Sequence, residues 1–261
     1  MKHQDQLKRV LVLEHIPKRI VSLVPSQTEL LVDLGLESSI VGLTKFCIHP
    51  SSLRKNKTVV GGTKQVNFDK IKALNPDIIL CNKEENTKEM ILELESIAPV
   101  HISDICDLDD ALELIELYGE LFSAEKKATL LIKNIKKESQ DFRHYVKDQP
   151  RLKVVYFIWK IPWMVAAKET FINEMLVLNN FENYFGNLTR YPEIELDAID
   201  KNIDVIMLSS EPFPFKEEHV NSLELKFPDC KVVLVDGEYF SWYGSRLAEA
   251  FGYFKTLRKT L

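Results

Sequence analysis

No glycine or proline interrupts the stretch SAEKKATLLIKNIKKESQDFRHYVKDQ between Ser123 and Gln149, and apolar residues recur in it at Ala128, Leu131, Ile135, Phe142 and Val146. Those intervals fit one face of a 3.6-residue period. With Ser123 as N-cap and Pro150 as stop, they predict a helix about 37 Å long at ~1.5 Å per residue, more than a crossover inside one small sheet requires. A rod of that length divides a chain. At 261 residues the sequence also has the length of about two domains of roughly 100–200 residues. The expected organisation is an N-terminal lobe over residues 1–120, a connecting helix over 121–149 and a C-terminal lobe over 150–261.

Both flanks of the rod repeat one pattern. Arg19 to Val24 is β-rich, Ser26 followed by Glu29 reads as a capping box, Leu30, Leu31 and Leu34 continue a helix, and Gly35 stops it. Strand runs follow at 40–43, 77–81 and 100–103, with helices at 68–74 and 87–97. Beyond Pro150 the alternation restarts with strands at 153–159, 204–208 and 231–235 and helices at 170–178 and 216–225, and a last helix carries Leu247, Ala250, Phe251, Phe254 and Leu257. Strands alternating with helices predict parallel sheets covered on both faces. The fold class is therefore α/β, two Rossmann-like lobes joined by one long interlobe helix.

The chain also repeats a phrase. NPDIILCNKE at 75–84 and NIDVIMLSSE at 202–211 share an Asn, an Asp two places on, an apolar run and a Glu nine places after the Asn. Each is a strand with a glutamate just past its carboxyl end, where the loops of open α/β sheets face the ligand crevice. Solvated loop charges beside two similar parallel strands would give the same echo by chance. The alignment of Glu84 with Glu211 argues for a shared role.

RIVSLVPSQTELLVDLGL, GGTKQVNFDKIKALNPDIIL and the interlobe helix together resemble the solute-binding proteins of bacterial ABC importers for cobalamin, haem and iron-siderophores, the helical-backbone type. The resemblance extends from about Pro17 to Leu261. It implies a monomer without a cofactor of its own, which captures a metal chelate between its lobes and delivers it to the permease subunits of an importer. In that family one glutamate per lobe docks into arginine pockets of the permease. By position Glu84 and Glu211 resemble that pair, with Glu85 a rival for the first role and Glu217 or Glu218 for the second. A carboxylate matches the planar fork of an arginine, so two such contacts would fix orientation.

Aromatic residues gather at strand ends. Trp159 and Trp163 flank KIP, Arg190 and Tyr191 stand in TRYPEIEL, Phe213 and Phe215 in SSEPFPF, and Trp242, Tyr243 and Arg246 in YFSWYGSR. From the first lobe Ser26, Lys45, Phe46, Gly61, Gly62 and Thr63 are the matching loop residues. A flat chelate needs aromatic surface to stack on, while aromatics anchoring loops to a core would produce the same pattern. As a group they favour a ligand. Cys47 and His49 could coordinate the metal of a bound chelate; a packed cysteine beside a hydrogen-bonded histidine is the plainer alternative, since metal sites usually converge three or four ligands.

Composition removes other classes. A net charge of −5 disfavours a nucleic-acid surface. The apolar runs fall short of the ~20 residues of a membrane span. The four cysteines lack CxxC spacing and read as small buried apolar residues. GxSxG, HExxH, GxGxxG and a complete phosphate loop are missing, so no enzyme is expected. The resemblance implies a periplasmic protein, whereas MKHQDQLKRVLVLEHIPKR lacks the apolar stretch of about 7–15 residues of a secretory signal, which leaves a cytoplasmic location open. Two functions compete: chelate import, and a cytoplasmic carrier or enzyme for a metal chelate or tetrapyrrole on the same fold.

Overall fold

Strands whose residues are buried on both faces belong inside parallel sheets, because helices must cover each side. The computed structural model describes residues 1–200 and 202–261. It shows two such sheets, one in each of two units: unit 1 comprises Met1–Ile105, Asp109–Asn134 and Tyr243–Arg246, and unit 2 comprises Cys106–Leu108, Ile135–Trp242 and Leu247–Leu261. In chain order the first elements are β1 (Lys2–Gln4), β2 (Val10–Val12), β3 (Ile20–Ser22), α1 (Pro25–Asp33), β4 (Ile40–Thr44), α2 (Leu53–Asn56), β5 (Thr58–Gly61), α3 (Phe68–Ala73), β6 (Ile78–Asn82), α4 (Lys88–Leu94), β7 (Val100–Ser103), α5 (Leu108–Leu121) and α6 (Glu125–Val146). The rest are β8 (Leu152–Trp159), β9 (Met164–Val165), α7 (Phe171–Leu178), β10 (Phe181–Asn183), β11 (Val205–Ser209), α8 (Glu217–Lys226), β12 (Lys231–Val235), α9 (Gly237–Ser241) and α10 (Leu247–Thr260).

The unit 1 sheet is parallel in the order β5-β4-β3-β6-β7. Alternation along its strands sends Val21, Ile79, Cys81, Val100 and Ile102 to one face, where Ile71 of α3 and Met90, Ile91 and Leu94 of α4 cover them. The unit 2 sheet runs β10-β8-β11-β12 in parallel, with β9 antiparallel on β8. There Val155, Phe157, Ile206, Leu208 and Val232 pack with Val220 and Leu223 of α8. On the other face Tyr156 meets Phe240 of α9, with ring centroids 5.0 Å apart. In each sheet the strand order reverses once, between β3 and β6 and between β8 and β11. The loops at the carboxyl ends of these strands flank the positions where such sheets bind ligands.

The repeated phrase has a structural meaning at its aspartate. Asp77 precedes β6, and its carboxylate accepts from the amides of Lys18 (2.7 Å) and Arg19 (3.0 Å), while its own amide donates to the Arg19 carbonyl (2.8 Å). Asp204 precedes β11 and accepts from the Lys153 amide (2.6 Å), while its amide donates to the Lys153 carbonyl (2.9 Å). Neither acid is merely a solvated loop charge.

Helix starts follow side-chain caps where they exist: Asn67, Thr87 and Thr170 accept from the third amide of α3, α4 and α7. The expected box at Ser26 and Glu29 is not formed. Pro25 takes the first helical position with Val24 as N-cap, because its fixed φ and missing donor suit that place, and Ser26 falls inside the first turn. Ser123 does not cap the long helix either. It adopts φ 54° and closes α5, with the Ala124 amide reaching the Gly119 carbonyl (2.7 Å), and α6 begins at Glu125. At 22 residues α6 is about 33 Å long, with Ala128, Ile135, Phe142 and Val146 buried as its period requires. Residues 125–134 of α6 belong to unit 1 and the remainder to unit 2.

The first residues are built into unit 1. β1 and β2 form an antiparallel hairpin, and from the turn between them buried Asp5 accepts from the amides of Leu7, Arg9 and Ile102. Arg9 pairs with Asp5 and Glu95 and donates to the Val100 carbonyl. These side chains therefore satisfy backbone groups on the outer side of β7. Among the described residues no helix is long and apolar enough to cross a membrane. Cys47, Cys81 and Cys230 are buried as expected, whereas Cys106 is half-buried.

His101 on β7 is buried against Tyr118 with neither ring nitrogen hydrogen-bonded, and burial pushes its pKa down to about 4. Asp5, Arg9 and His3 are the charged or titratable groups acting on it. The folded state therefore binds this proton less readily than the unfolded chain. Stability is full above the unfolded pKa of about 6.5 and falls by about 3 kcal/mol as pH drops to about 4. Denaturant titration from pH 7 to 4 should show this loss, and His101→Leu should remove most of it. Asp204→Ala, which strips the Lys153 amide at the start of β8 of its acceptor, should cost about 1–2 kcal/mol at pH 7 in the same measurement.

Candidate functional site

The last residue of β6, Asn82, organises the loop that carries the first glutamate. Its Oδ1 accepts from the amides of Glu84 (2.8 Å) and Glu85 (3.1 Å), and its Nδ2 donates to Ser103. Asn86 closes the loop, accepting from the Asn82 amide (2.7 Å) and donating to the Thr63 carbonyl (2.8 Å). Beneath lies a buried polar chain: Tyr118 donates to Gln27, and Gln27 donates to Ser103 and, at 3.4 Å, to Tyr243. Each link satisfies a group that would be costly to bury alone, so the loop rests on a rigid base. Glu84 and Glu85 are both half-buried.

In unit 2 the last residue of β11 has the same duty. Ser209 Oγ donates to the Glu211 carbonyl (2.6 Å) and receives the Tyr156 hydroxyl (3.1 Å). Here the glutamate turns inward, and its Oε1 accepts from Ser241 Oγ (2.7 Å) and Trp242 Nε1 (2.8 Å). Burial raises its pKa, the two donors oppose that, and Glu238 and Asp236 add repulsion. Gly237 makes the arrangement possible, since a Cβ there would lie 2.3 Å from Ser209 Oγ and 2.8 Å from Glu211 Cγ. Glu217 and Glu218 stand exposed in the first turn of α8.

The loops after β8 and β11 flank the reversal of the unit 2 sheet, and together they build an aromatic surface. The Phe213 amide donates to the Ile158 carbonyl (3.3 Å), bringing Trp159 and Phe213 edge to face at 5.6 Å. Trp163 stacks on Phe215 (6.0 Å, 11°) and meets Phe157 at 4.9 Å, while His219 packs against both Phe213 and Phe215. Trp159 is 37% exposed and Ile161 82%. Ile161 escaped the sequence reading; its signal is the WKIPW pattern, an apolar residue between two strand-end tryptophans. Beside it Ile161, Pro162, Trp163, Glu193, Ile194 and Glu195 line a cavity of about 250 Å³.

The remaining expected contacts separate by burial. Phe46 is 49% exposed after β4, with Lys45 Nζ 5.0 Å from its ring, and Gly62 and Thr63 lie half-buried after β5. Gly61 holds φ 142° where a Cβ would meet the Gln65 carbonyl at 2.5 Å. Arg190 and Tyr191 are half-buried, and Arg190 donates to the Glu169 carbonyl (3.3 Å).

Ser26 lies in the first turn of α1 rather than in a loop, and Trp242 and Tyr243 stand in the loop between α9 and α10 as expected; all three are buried. Trp242 is spent on Glu211, and burial pushes the Tyr243 hydroxyl well up. Arg246 makes a two-pronged pair with Glu29 (3.0 and 2.6 Å); burial raises the Glu29 pKa against the opposing pull of Arg246. Cys47 does not reach solvent: it is 0% exposed, its sulfur lies 3.1 Å from Thr28 Oγ1 and 3.3 Å from Thr44 Oγ1, and burial raises its thiol pKa. His49 is half-buried. Among the described residues no group of three or more His, Cys, Asp or Glu could hold a metal ion.

Known proteins share this architecture. The periplasmic vitamin B12 binding protein BtuF of Vibrio cholerae superposes with TM-score 0.81 at 19% identity, covering 94% of this chain and 98% of its own. The periplasmic heme-binding protein RhuT from Roseiflexus sp. RS-1 does so with TM-score 0.81 at 17% identity, covering 93% and 98%. An uncharacterised ABC transporter substrate-binding lipoprotein of Bacillus subtilis, YvrC, is 29% identical over 212 residues, 78% of this chain and 67% of its own. The vitamin B12-binding protein of Pectobacterium atrosepticum is 25% identical over 191 residues, 70% and 68%. Residues 20–224 match the periplasmic binding protein family. The parallel sheets, the loops at their carboxyl ends and that match agree: this chain belongs to the periplasmic binding protein family.

Proposed function

We propose that the protein is the substrate-binding component of an ABC importer for a metal chelate of the corrinoid, haem or iron-siderophore kind. The observation that carries this reading is the exposed aromatic and aliphatic surface of Trp159 and Ile161 at the carboxyl edge of unit 2, with half-buried Phe213 packed edge to face on Trp159. Large apolar side chains left in water together at a strand-order reversal call for a ligand. Phe46 adds exposed ring surface at the carboxyl edge of unit 1. The names of the B12-binding and haem-binding relatives support a tetrapyrrole-like ligand. In this reading the chelator supplies the coordination of the metal, and the protein supplies flat contact surface. The protein works at the outer face of the cytoplasmic membrane.

Delivery in this reading uses carboxylates that reach arginines of the permease. Glu84 and Glu85 serve unit 1. In unit 2 burial favours Glu217 and Glu218 over Glu211, whose carboxylate already holds Ser241 and Trp242.

Titration with cyanocobalamin, haemin and a ferric siderophore should give saturable quenching of tryptophan fluorescence by at least one of them, and quenching by none would end the proposal. Trp159→Ala should weaken that ligand by about tenfold, the scale of one lost stacking contact. Glu217→Lys with Glu218→Lys should lower transport in reconstituted vesicles by about tenfold or more while ligand affinity stays unchanged. Glu211→Lys, in contrast, should lower the melting temperature, because it removes the acceptor shared by Ser241 and Trp242. Unchanged transport in the α8 variants would return the docking role to Glu211.

A further inference from the structure

The cavity beside Trp163 carries a charge pattern that not every metal chelate would tolerate. Its residues are set by backbone pairing: the Ile194 amide donates to the Trp163 carbonyl (2.9 Å), the Val165 amide to the Pro192 carbonyl (3.2 Å), and Met164 bridges Glu193 in antiparallel fashion. In such an extended segment alternate side chains share a side, so Glu193 and Glu195 project together. Both are exposed, and neither forms an ion pair among the described residues. The Lys160 ammonium lies 5.6 Å from the centre of the Trp163 ring. An aromatic face attracts cations in this way. Two carboxylates against one ammonium leave the rim negative, while Trp163, Ile161 and Pro162 supply apolar surface to the rest of the lining.

We infer that this cavity is a subsite for a positively charged arm, an ammonium or guanidinium on an apolar spacer, belonging to a chelate without carboxylates. The inference rests on the chelate-binding reading above. Size supports an arm rather than a whole ligand, because about 250 Å³ falls below the roughly 300–1,000 Å³ that encloses a drug-sized molecule. Charge complementarity selects the arm: the spacer lies on Trp163 and Ile161 while the cation meets Glu193 and Glu195. A carboxylate-bearing chelate such as haem would bring like charge to the same rim, which acts against it as strongly as the match acts for a cation.

The test uses the full chain and a pair of probes that differ only in charge: ferrioxamine B, an iron trihydroxamate carrying one ammonium, and its N-acetylated neutral form. Cyanocobalamin and haemin are titrated alongside, all by tryptophan quenching. Ferrioxamine B should bind about fivefold tighter than the acetylated form, the scale of an exposed cation–π and ion-pair contact. Glu193→Gln with Glu195→Gln should erase that preference, leave the acetylated form unchanged and strengthen haemin. Equal affinity for the two forms, a preference that survives the double substitution, or no binding of ferrioxamine B would overturn the inference. In any of those cases saturable binding of cyanocobalamin or haemin preserves the chelate-binding reading, and binding of none of the four removes both.

Discussion

One carboxylate at the amino edge of each sheet sets the frame for the rest. Asp77 holds the lead-in of β3 to that of β6, and Asp204 holds the start of β8, at Lys153, to the lead-in of β11. These are the strand pairs between which the order reverses. A slip of one residue in either pair would exchange the side chains that the two faces of the sheet present to their covering helices. Fixing the pairs at one end decides which residues emerge at the other. Asn82 and Ser209 stand at those other ends, and each uses its own side chain to shape the loop that follows.

From that common plan the two units diverge in chemistry. In unit 1 the loop after β6 sits on Asn82, Ser103, Gln27 and Tyr118, a polar chain in which each member needs its neighbours. Such a base resists deformation and holds carboxylates at a defined place. In unit 2 the corresponding loop supplies Phe213 and Phe215 to a group of packed rings, and the glutamate that heads it is tied back to Ser241 and Trp242. The corresponding loops therefore present acids in one unit and rings in the other.

Much of the fold is legible in the sequence because parallel strands are short β-branched runs and helices announce their starts. Val100–Ser103 and Lys231–Val235 coincide with their sequence boundaries, and the caps at Thr87 and Thr170 stand where side-chain chemistry puts them. Where two local signals compete, sequence is a poorer guide. Pro25 overrides Ser26 as the start of α1, which leaves Glu29 to pair with Arg246, and Ser123 in a left-handed turn separates two helices without the glycine that normally marks such a stop. β1 and β2 are three-residue strands in a charged segment, too short to show alternation. The site is harder still. Aromatic residues at strand ends look alike in sequence, yet Trp159 faces solvent and Trp242 is buried on an acid 31 residues away. That distinction is tertiary and has no local signature.

Asp5 and Arg9 reach across to β7, the outermost strand of its sheet, and satisfy backbone groups that no neighbouring strand pairs. A strand left bare in that position is a template on which another molecule can add its own, the route by which β-rich proteins aggregate. The side chains of the short hairpin thus set charge along the open flank of the sheet, the kind of guard that disfavours the addition of a foreign strand.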